Sequence, residues 1–321
     1  MNDPQNLPID IEEQQNWLAE HKTATGQSWT ELAPKIGVKY GTISQFPNGG
    51  YKGDLKKIAE AVFRYRQMLA SQAAIAVEMP EPPAFFRTDT TRQMETILSI
   101  GHRGRMVVIA GGPGTSKTST CRNYQAAVSN VWVATMKPSS GGISTMQYKV
   151  LEALGVEEEK RKGTPIALTS RIEALMANRS GLLILDEAQH LGEKALEEIR
   201  GWHDSTGAGI ALVGNTDVLT RLTLGNRTHA FARLASRIAQ RMIFDGPRES
   251  DALALADAWG IEDDAMRGFI AQIARQPGGL RTCTMMLETA GMLMSADRAP
   301  AIELAHMQDA WSQLSTRQLA Q

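Results

Sequence analysis

The stretch Gly111-Gly112-Pro113-Gly114-Thr115-Ser116-Lys117-Thr118 constrains this chain more than any other. An apolar run, Met106-Val107-Val108-Ile109-Ala110, precedes it, and a segment of helical character, Ser119 to Val128, follows. A strand, a glycine-rich turn and Lys-Thr at a helix start form a loop whose backbone N–H groups cradle phosphate. The glycines let those groups converge, and the helix N-terminus adds its partial positive charge. In such a loop Lys117 reaches the β- and γ-phosphates and the Thr118 hydroxyl faces Mg²⁺. Gly112, Pro113, Gly114, Thr115, Ser116 and Ser119 line the anion. Ser116 stands where the pattern G-x-x-x-x-G-K-[ST] has its last glycine, and serine adopts positive φ less readily.

The alternation of strand and helix continues after the loop. A strand at Val131–Met136 leads to a polar loop, Lys137 to Gly142, and a helix, Ile143 to Leu154. A charged connection, Glu157 to Lys162, precedes a further helix at Thr169–Asn178. Then Leu182-Leu183-Ile184-Leu185-Asp186-Glu187 delivers two acids at the end of a buried strand. Phosphoryl transfer needs charge neutralisation and an oriented acceptor for water. Asp186 suits the first need, binding Mg²⁺ through water together with Thr118, and Glu187 suits the second. The next strand, Gly209 to Asn215, ends in a polar amide at the same sheet edge. The pattern predicts an α/β domain with a parallel sheet covered by helices on both faces. From Pro247 onward four helices are expected: Ser250–Trp259, Asp264–Arg275, Leu280–Ser295 and Ile302–Leu314.

The N-terminal part reads differently. A short helix is expected from Ile11 to Glu20, around Trp17 and Leu18. Ser28 and Glu31 can form a capping box for a helix Trp29–Ile36, and Gly37 ends it. Lys39–Phe46 then supplies a second short helix, with Leu32, Ile36, Val38, Ile43 and Phe46 for the core. This unit resembles a repressor-like helix-turn-helix, despite Pro34 inside its first helix. The second helix would present Lys39, Tyr40, Thr42, Ser44 and Gln45 to phosphate and base edges of DNA. A longer helix capped by Asp54 follows, through about Ile75. Glu78-Met79-Pro80-Glu81-Pro82-Pro83 breaks the helical period and reads as a linker. The division expected is an all-α helix-turn-helix domain over 1–77, a linker over 78–87, a nucleotide domain over 88–246 and a helical lid over 247–321.

Composition narrows the function classes. At 321 residues, with 42% hydrophobic and 21% charged, the chain suits ordinary globular domains. A formal net charge of −1 supplies no global basic field, so any DNA contact comes from local patches. Cys121 and Cys283 fit no metal spacing and are expected to be reduced thiols. The polar N-terminus has no secretory h-region, and no run of apolar residues is long enough to span a bilayer. A cytoplasmic protein with no membrane partner is expected.

The order helix-turn-helix, linker, GGPGTSKT, LLILDEAQHL, LVGN, the Leu234-Ala235-Ser236-Arg237-Ile238 run and Gly278-Gly279-Leu280-Arg281-Thr282 resembles the AAA+ regulators of DNA transposition. The resemblance covers essentially the whole chain and implies an ATPase, converting ATP and water to ADP and phosphate with Mg²⁺. It implies that Asn215 is the first sensor of the γ-phosphate and that Arg281, at a lid helix start, is the second. Arginines cluster at Arg221, Arg227, Arg233, Arg237 and Arg241. In this family a finger arginine acts on a neighbouring subunit's nucleotide, and Arg237, then Arg233, match the segment that carries it. The resemblance further implies ATP-bound homo-oligomers or helical filaments on double-stranded DNA without sequence preference. These would deliver target DNA to a cognate transposase and stimulate strand transfer in the cytoplasm of a bacterial host. Lys137, Lys160, Arg161 and Lys162 are candidates to line that DNA. The alternative expectation is an ATP-switched transcription regulator that binds one operator through the helix-turn-helix.

Overall fold

The computed structural model describes residues 9–77, 85–218 and 233–314, in two units, Met1–Glu81 and Pro82–Gln321. The first unit is helical among its described residues: α1 Ile11–Thr25, α2 Trp29–Ile36, α3 Tyr40–Ile43 and α4 Leu55–Val77. The α1 helix runs past the expected end because no breaker intervenes before Gly26, whose φ of 65° closes it. Ser28 forms the expected capping box, with its N–H donating to the Glu31 carboxylate at 2.8 Å. That bond, first among the causes, holds the Glu31 carboxyl below the usual range. Leu18, Leu32, Ile43, Phe46, Ala59 and Val62 make a solvent-free core. The α3 helix is one turn, shorter than the predicted Lys39–Phe46. Pro47 disfavours helical backbone at Phe46, and Gly49 turns the chain at φ 67°. The linker residues 78–84 lie outside the described residues.

In the second unit, apolar runs form β1 Met106–Gly111, β2 Val131–Thr135, β3 Leu182–Asp186 and β4 Gly209–Gly214, and the more polar, largely exposed β5 Ile238–Phe244 completes the sheet at its edge. Every pairing is parallel, in the order β2-β3-β4-β1-β5. The helices between them are α5 Asp89–His102, α6 Lys117–Ala127, α7 Ile143–Ala153, α8 Pro165–Met176 and α9 Glu193–Thr206. Alternate residues of β1, β3 and β4 enter opposite cores, as the two-residue period of a strand requires. Val108, Leu183, Leu185, Ile210 and Leu212 meet Met146, Ile172, Ile199 and Trp202 of α7–α9. Val107, Ile109, Ile184, Ala211 and Val213 meet Met94, Leu98, Cys121 and Tyr124 of α5 and α6. Each fully buried valine, leucine, isoleucine or methionine among them contributes roughly 1.5–3 kcal/mol.

The lid consists of α10 Glu249–Ala258, α11 Asp264–Ala274, α12 Leu280–Ala296 and α13 Leu304–Gln313. It has its own core, including Leu255, Ile270, Cys283, Met286, Leu287 and Met307. Asp251 pins it to α5: its carboxylate accepts from Thr90 N–H (3.1 Å), Thr90 Oγ1 (2.5 Å) and Arg248 N–H (2.9 Å). Among the described residues no helix is long and apolar enough to cross a membrane.

Candidate nucleotide-binding site

The strand order places β1 beside β4, and the chain runs from β1 to β2 at one edge of the sheet but from β4 to β5 at the other. Crevices at such a switch, beyond the C-terminal strand ends, are where open α/β sheets bind ligands. A cavity of about 680 Å³ opens there, lined by Lys117 after β1, Glu187 after β3, Asn215 after β4 and Arg281 of α12. The same wall includes Pro113, Gly114, Thr115, Ser116, Thr118 and Ser119.

The phosphate loop is held closely from two sides. Gly112 N–H donates to Phe244 O at 3.2 Å, and a Cβ on Gly112 would lie 2.0 Å from Asp245 O. Leu280 N–H donates to Gly114 O at 3.0 Å, and a Cβ on Gly114, at φ 67°, would lie 1.7 Å from Gly278 O. Glycine is required at both positions. The N–H groups of Gly114 and Ser116 find no acceptor among the described residues, and buried or half-buried donors of this kind need a partner. Ser116 adopts φ 61°, the left-handed conformation that the missing glycine would take without strain, and it serves as N-cap of α6 with no side-chain bond.

Lys117 Nζ donates to Gly111 O (2.9 Å), Gly112 O (2.6 Å) and Thr115 Oγ1 (3.2 Å). Burial lowers its pKa, against the raising influence of Glu187 and Asp186. Thr118 Oγ1 donates to Asp186 Oδ2 at 2.8 Å, and Glu187 N–H to Asp186 Oδ1 at 3.0 Å. Burial nonetheless raises the Asp186 pKa. A buried carboxylate beside a hydroxyl, next to an ammonium, suits a hard divalent cation bound with phosphate oxygens. These donors fit ATP and Mg²⁺: the loop for the phosphates, Thr118 and Asp186 for the metal.

Glu187 also takes a left-handed backbone, φ 55°, a strained conformation that concentrates at functional sites. Gln189, which the sequence reading passed over, connects two candidates. Its amide donates to the Glu187 carboxylate, and its Oε1 accepts from Asn215 N–H at 3.3 Å. The Asn215 side chain bonds Asp217, through Nδ2 to the carboxylate and Oδ1 to the backbone N–H, both at 3.0 Å. Phe85, Phe86, Thr284, Met285 and Glu288 also line the cavity and were not foreseen. Phe85 and Phe86 fall inside the stretch read as linker, and only their fold-level neighbours reveal them.

Arg233 and Arg237 lie away from the cavity, held by acids of α9. Arg233 pairs with Glu197 at 3.1 Å, and Arg237 grips Asp204 through Nε at 2.9 Å and Nη2 at 3.4 Å. The Arg237 bond leads the causes that lower the Asp204 pKa. Arg221 and Arg227 lie outside the described residues, and Arg241 is exposed on β5.

The DNA candidates divide between the two units. Lys39, Tyr40 and Gln45 are exposed around α3, and Thr42 and Ser44 are partly so. In the second unit Lys137 and Lys162 are exposed, and Lys160 pairs with Glu157 at 2.8 Å. Arg161 is not a free cation. Its Nε donates to Val156 O (2.6 Å), its Nη1 to Glu152 (3.1 Å), and its guanidinium lies over Tyr148. It braces its own loop, because a planar fork beside a carbonyl, a carboxylate and a ring meets all three.

Residues 100–222 match the AAA domain family, and residues 236–314 match the family described as Mu B transposition protein, C terminal. The chain is similar to the ATP-dependent target DNA activator B of Escherichia phage Mu, at 36% identity over 278 residues, covering 86% of each. It is also similar to the Mu-like prophage FluMu DNA transposition protein B of Haemophilus influenzae. That likeness is 34% identity over 273 residues, 84% of this chain and 93% of the other. The Aeropyrum pernix ORC1 protein, solved in complex with DNA, shares the fold at a TM-score of 0.54. It is 17% identical and the match covers 74% of this chain and 69% of that one.

Proposed function

The chain belongs to the Mu B family of transposition proteins, and from that premise we propose that it activates target DNA for transposition in an ATP-dependent way. It is a P-loop protein of the AAA class that binds ATP. The observation that carries the reading is one cavity in which Lys117, Thr118, Glu187, Asn215 and Arg281 converge from three strand ends and the lid.

The proposed chemistry follows from those positions. The loop N–H groups and Lys117 hold the β- and γ-phosphates, which draws Lys117 away from the Gly111 and Gly112 carbonyls. Mg²⁺, held by Thr118 and Asp186, supplies charge neutralisation when bound. Glu187 orients a water and accepts its proton as the oxygen bonds to the γ-phosphorus, and the bond to the bridging oxygen breaks to leave ADP and phosphate. Gln189 orients the Glu187 carboxylate, and Asn215 marks the γ-phosphate end. Arg237, with Arg233 second, is offered to the nucleotide of a neighbouring copy, so ATP favours assembly by binding the assembled state better. Assembly then multiplies weak phosphate contacts by Lys137, Lys160 and Lys162, which lets a chain of net charge −1 hold DNA. The DNA so held is presented to the transposase.

The test is binding to random and selected duplexes across salt, with and without ATP. Tight, ATP-dependent, sequence-indifferent and salt-sensitive binding is expected. Lys117→Ala should abolish it, and Glu187→Gln should prolong it by slowing hydrolysis. The exposed Lys39, Tyr40 and Gln45 favour one rival, an operator-binding regulator. A single preferred duplex bound equally well without ATP would establish that rival instead.

A further inference from the structure

Along α12 the side chains facing the cavity change character in order: Arg281, then Thr284 and Met285, then Glu288. The helix starts at the phosphate loop, where Leu280 N–H donates to Gly114 O. Seven residues at about 1.5 Å each carry Glu288 roughly 10 Å beyond Arg281 along the axis. That span is comparable with the reach from a nucleotide's β-phosphate to the outer edge of its base. Arg281 therefore marks the phosphate end and Glu288 the base end. Phe85, Phe86 and Met285 supply apolar surface in the same cavity, of the kind a purine ring stacks on. Among the described residues no group pairs with the Glu288 carboxylate, although the residue is only partly exposed.

We propose that Glu288 accepts a hydrogen bond from the 6-amino group of adenine and thereby selects ATP over 6-oxo purine nucleotides. This rests on the cavity being the nucleotide site proposed above. An ionised carboxylate only accepts hydrogen bonds. The 6-amino group of adenine donates, whereas the 6-oxo group of guanine or hypoxanthine presents a second acceptor to the same oxygen atoms. A site built around one polar group rejects the analogue that lacks the matching group, because its own group is then left unpaired.

The experiment compares equilibrium affinity for ATP and for purine riboside 5′-triphosphate, which differ only in the 6-amino group. Displacement of a ribose-labelled fluorescent nucleotide from the full chain reads both. Wild type should prefer ATP by roughly tenfold or more, the worth of a charge-assisted bond. Glu288→Ala should bring the ratio close to one through loss of ATP affinity alone, and Glu288→Gln, which keeps an accepting oxygen, should retain part of the preference. An unchanged ratio in Glu288→Ala, or a wild type that binds GTP more tightly than ATP, would overturn the assignment. Lys117→Ala separates the two readings. If it weakens both nucleotides while Glu288→Ala leaves the ratio intact, only the base assignment falls. If Lys117→Ala binds both as wild type does, the nucleotide site itself is misplaced and the assignment falls with it.

Discussion

Replacing Ser116 by glycine should stabilise this protein, which is unusual for a substitution that removes a side chain. Ser116 holds φ 61°, and its hydroxyl makes no capping bond to α6. A residue with a Cβ in the left-handed region costs about 1–2 kcal/mol. Glycine removes that strain but gives the unfolded chain more freedom, worth about 0.4–1 kcal/mol in the other direction. The balance lies between about zero and 1.6 kcal/mol in favour of glycine, centred near 0.8 kcal/mol. For a unit of this size the central value raises the melting temperature by roughly 2–3 °C. Thermal unfolding followed by circular dichroism measures it, with Ser116→Ala as the control that keeps the Cβ and therefore the strain. Alanine should melt within about a degree of wild type. A Ser116→Gly protein that melts below wild type, or level with Ser116→Ala, would refute the strain argument. It would mean the serine is held by something other than loop geometry.

Gly114→Ala should act in the opposite sense, since its Cβ would collide with Gly278 O. The chain should lose at least about 1–2 kcal/mol and part of its nucleotide affinity, measured by melting and fluorescent nucleotide titration. Asp186→Asn tests the buried carboxylate. Burial raises the Asp186 pKa, so the folded state binds its proton more tightly than the unfolded state, and stability falls as pH rises through the window above the ordinary aspartate range. The asparagine variant lacks that loss and should gain on wild type in melting temperature as pH rises above the ordinary aspartate range; superimposable profiles would sink the assignment. Arg237→Ala should leave nucleotide binding and melting temperature unchanged while impairing hydrolysis, because its pairing with Asp204 is exposed. Mixing it with Lys117→Ala should restore turnover at some ratio, and failure at every ratio would remove the trans role.

The sheet and the phosphate loop were legible because strands buried on both faces read as unbroken apolar runs, and glycine-lysine spacing has few other uses. Legibility failed where charge or distance obscured the signal. The α9 helix goes unread in the sequence although it carries an amphipathic pattern, with Ala195, Leu196, Ile199 and Trp202 on one face and Glu193, Glu197 and Asp204 on the other. The α8 helix begins at Pro165 rather than Thr169. Thr164 as N-cap and proline at the first helical position are start signals that outweigh the polar flank. Gln189 was readable only as part of a motif, and Phe85, Phe86 and Glu288 could not be read at all. They share a cavity with the phosphate loop only through the fold, across sequence separations that no local pattern spans.

These distant contacts suggest how nucleotide could govern the lid. Gly114 belongs to the phosphate loop, yet its carbonyl caps the start of α12 and its Cα leaves no room for a side chain beside Gly278. Any adjustment of the loop around a triphosphate is therefore passed directly to α12, and through the lid core to α10, which Asp251 fastens to α5. A loop free of lid contacts could hold nucleotide without altering the rest of the chain. Here the phosphate end and the lid share a hydrogen bond. Weakening that contact by Gly114→Ala should therefore uncouple ATP binding from DNA assembly, even in excess nucleotide that restores occupancy. Normal ATP-dependent DNA binding by that variant at saturating ATP would show that the coupling runs elsewhere.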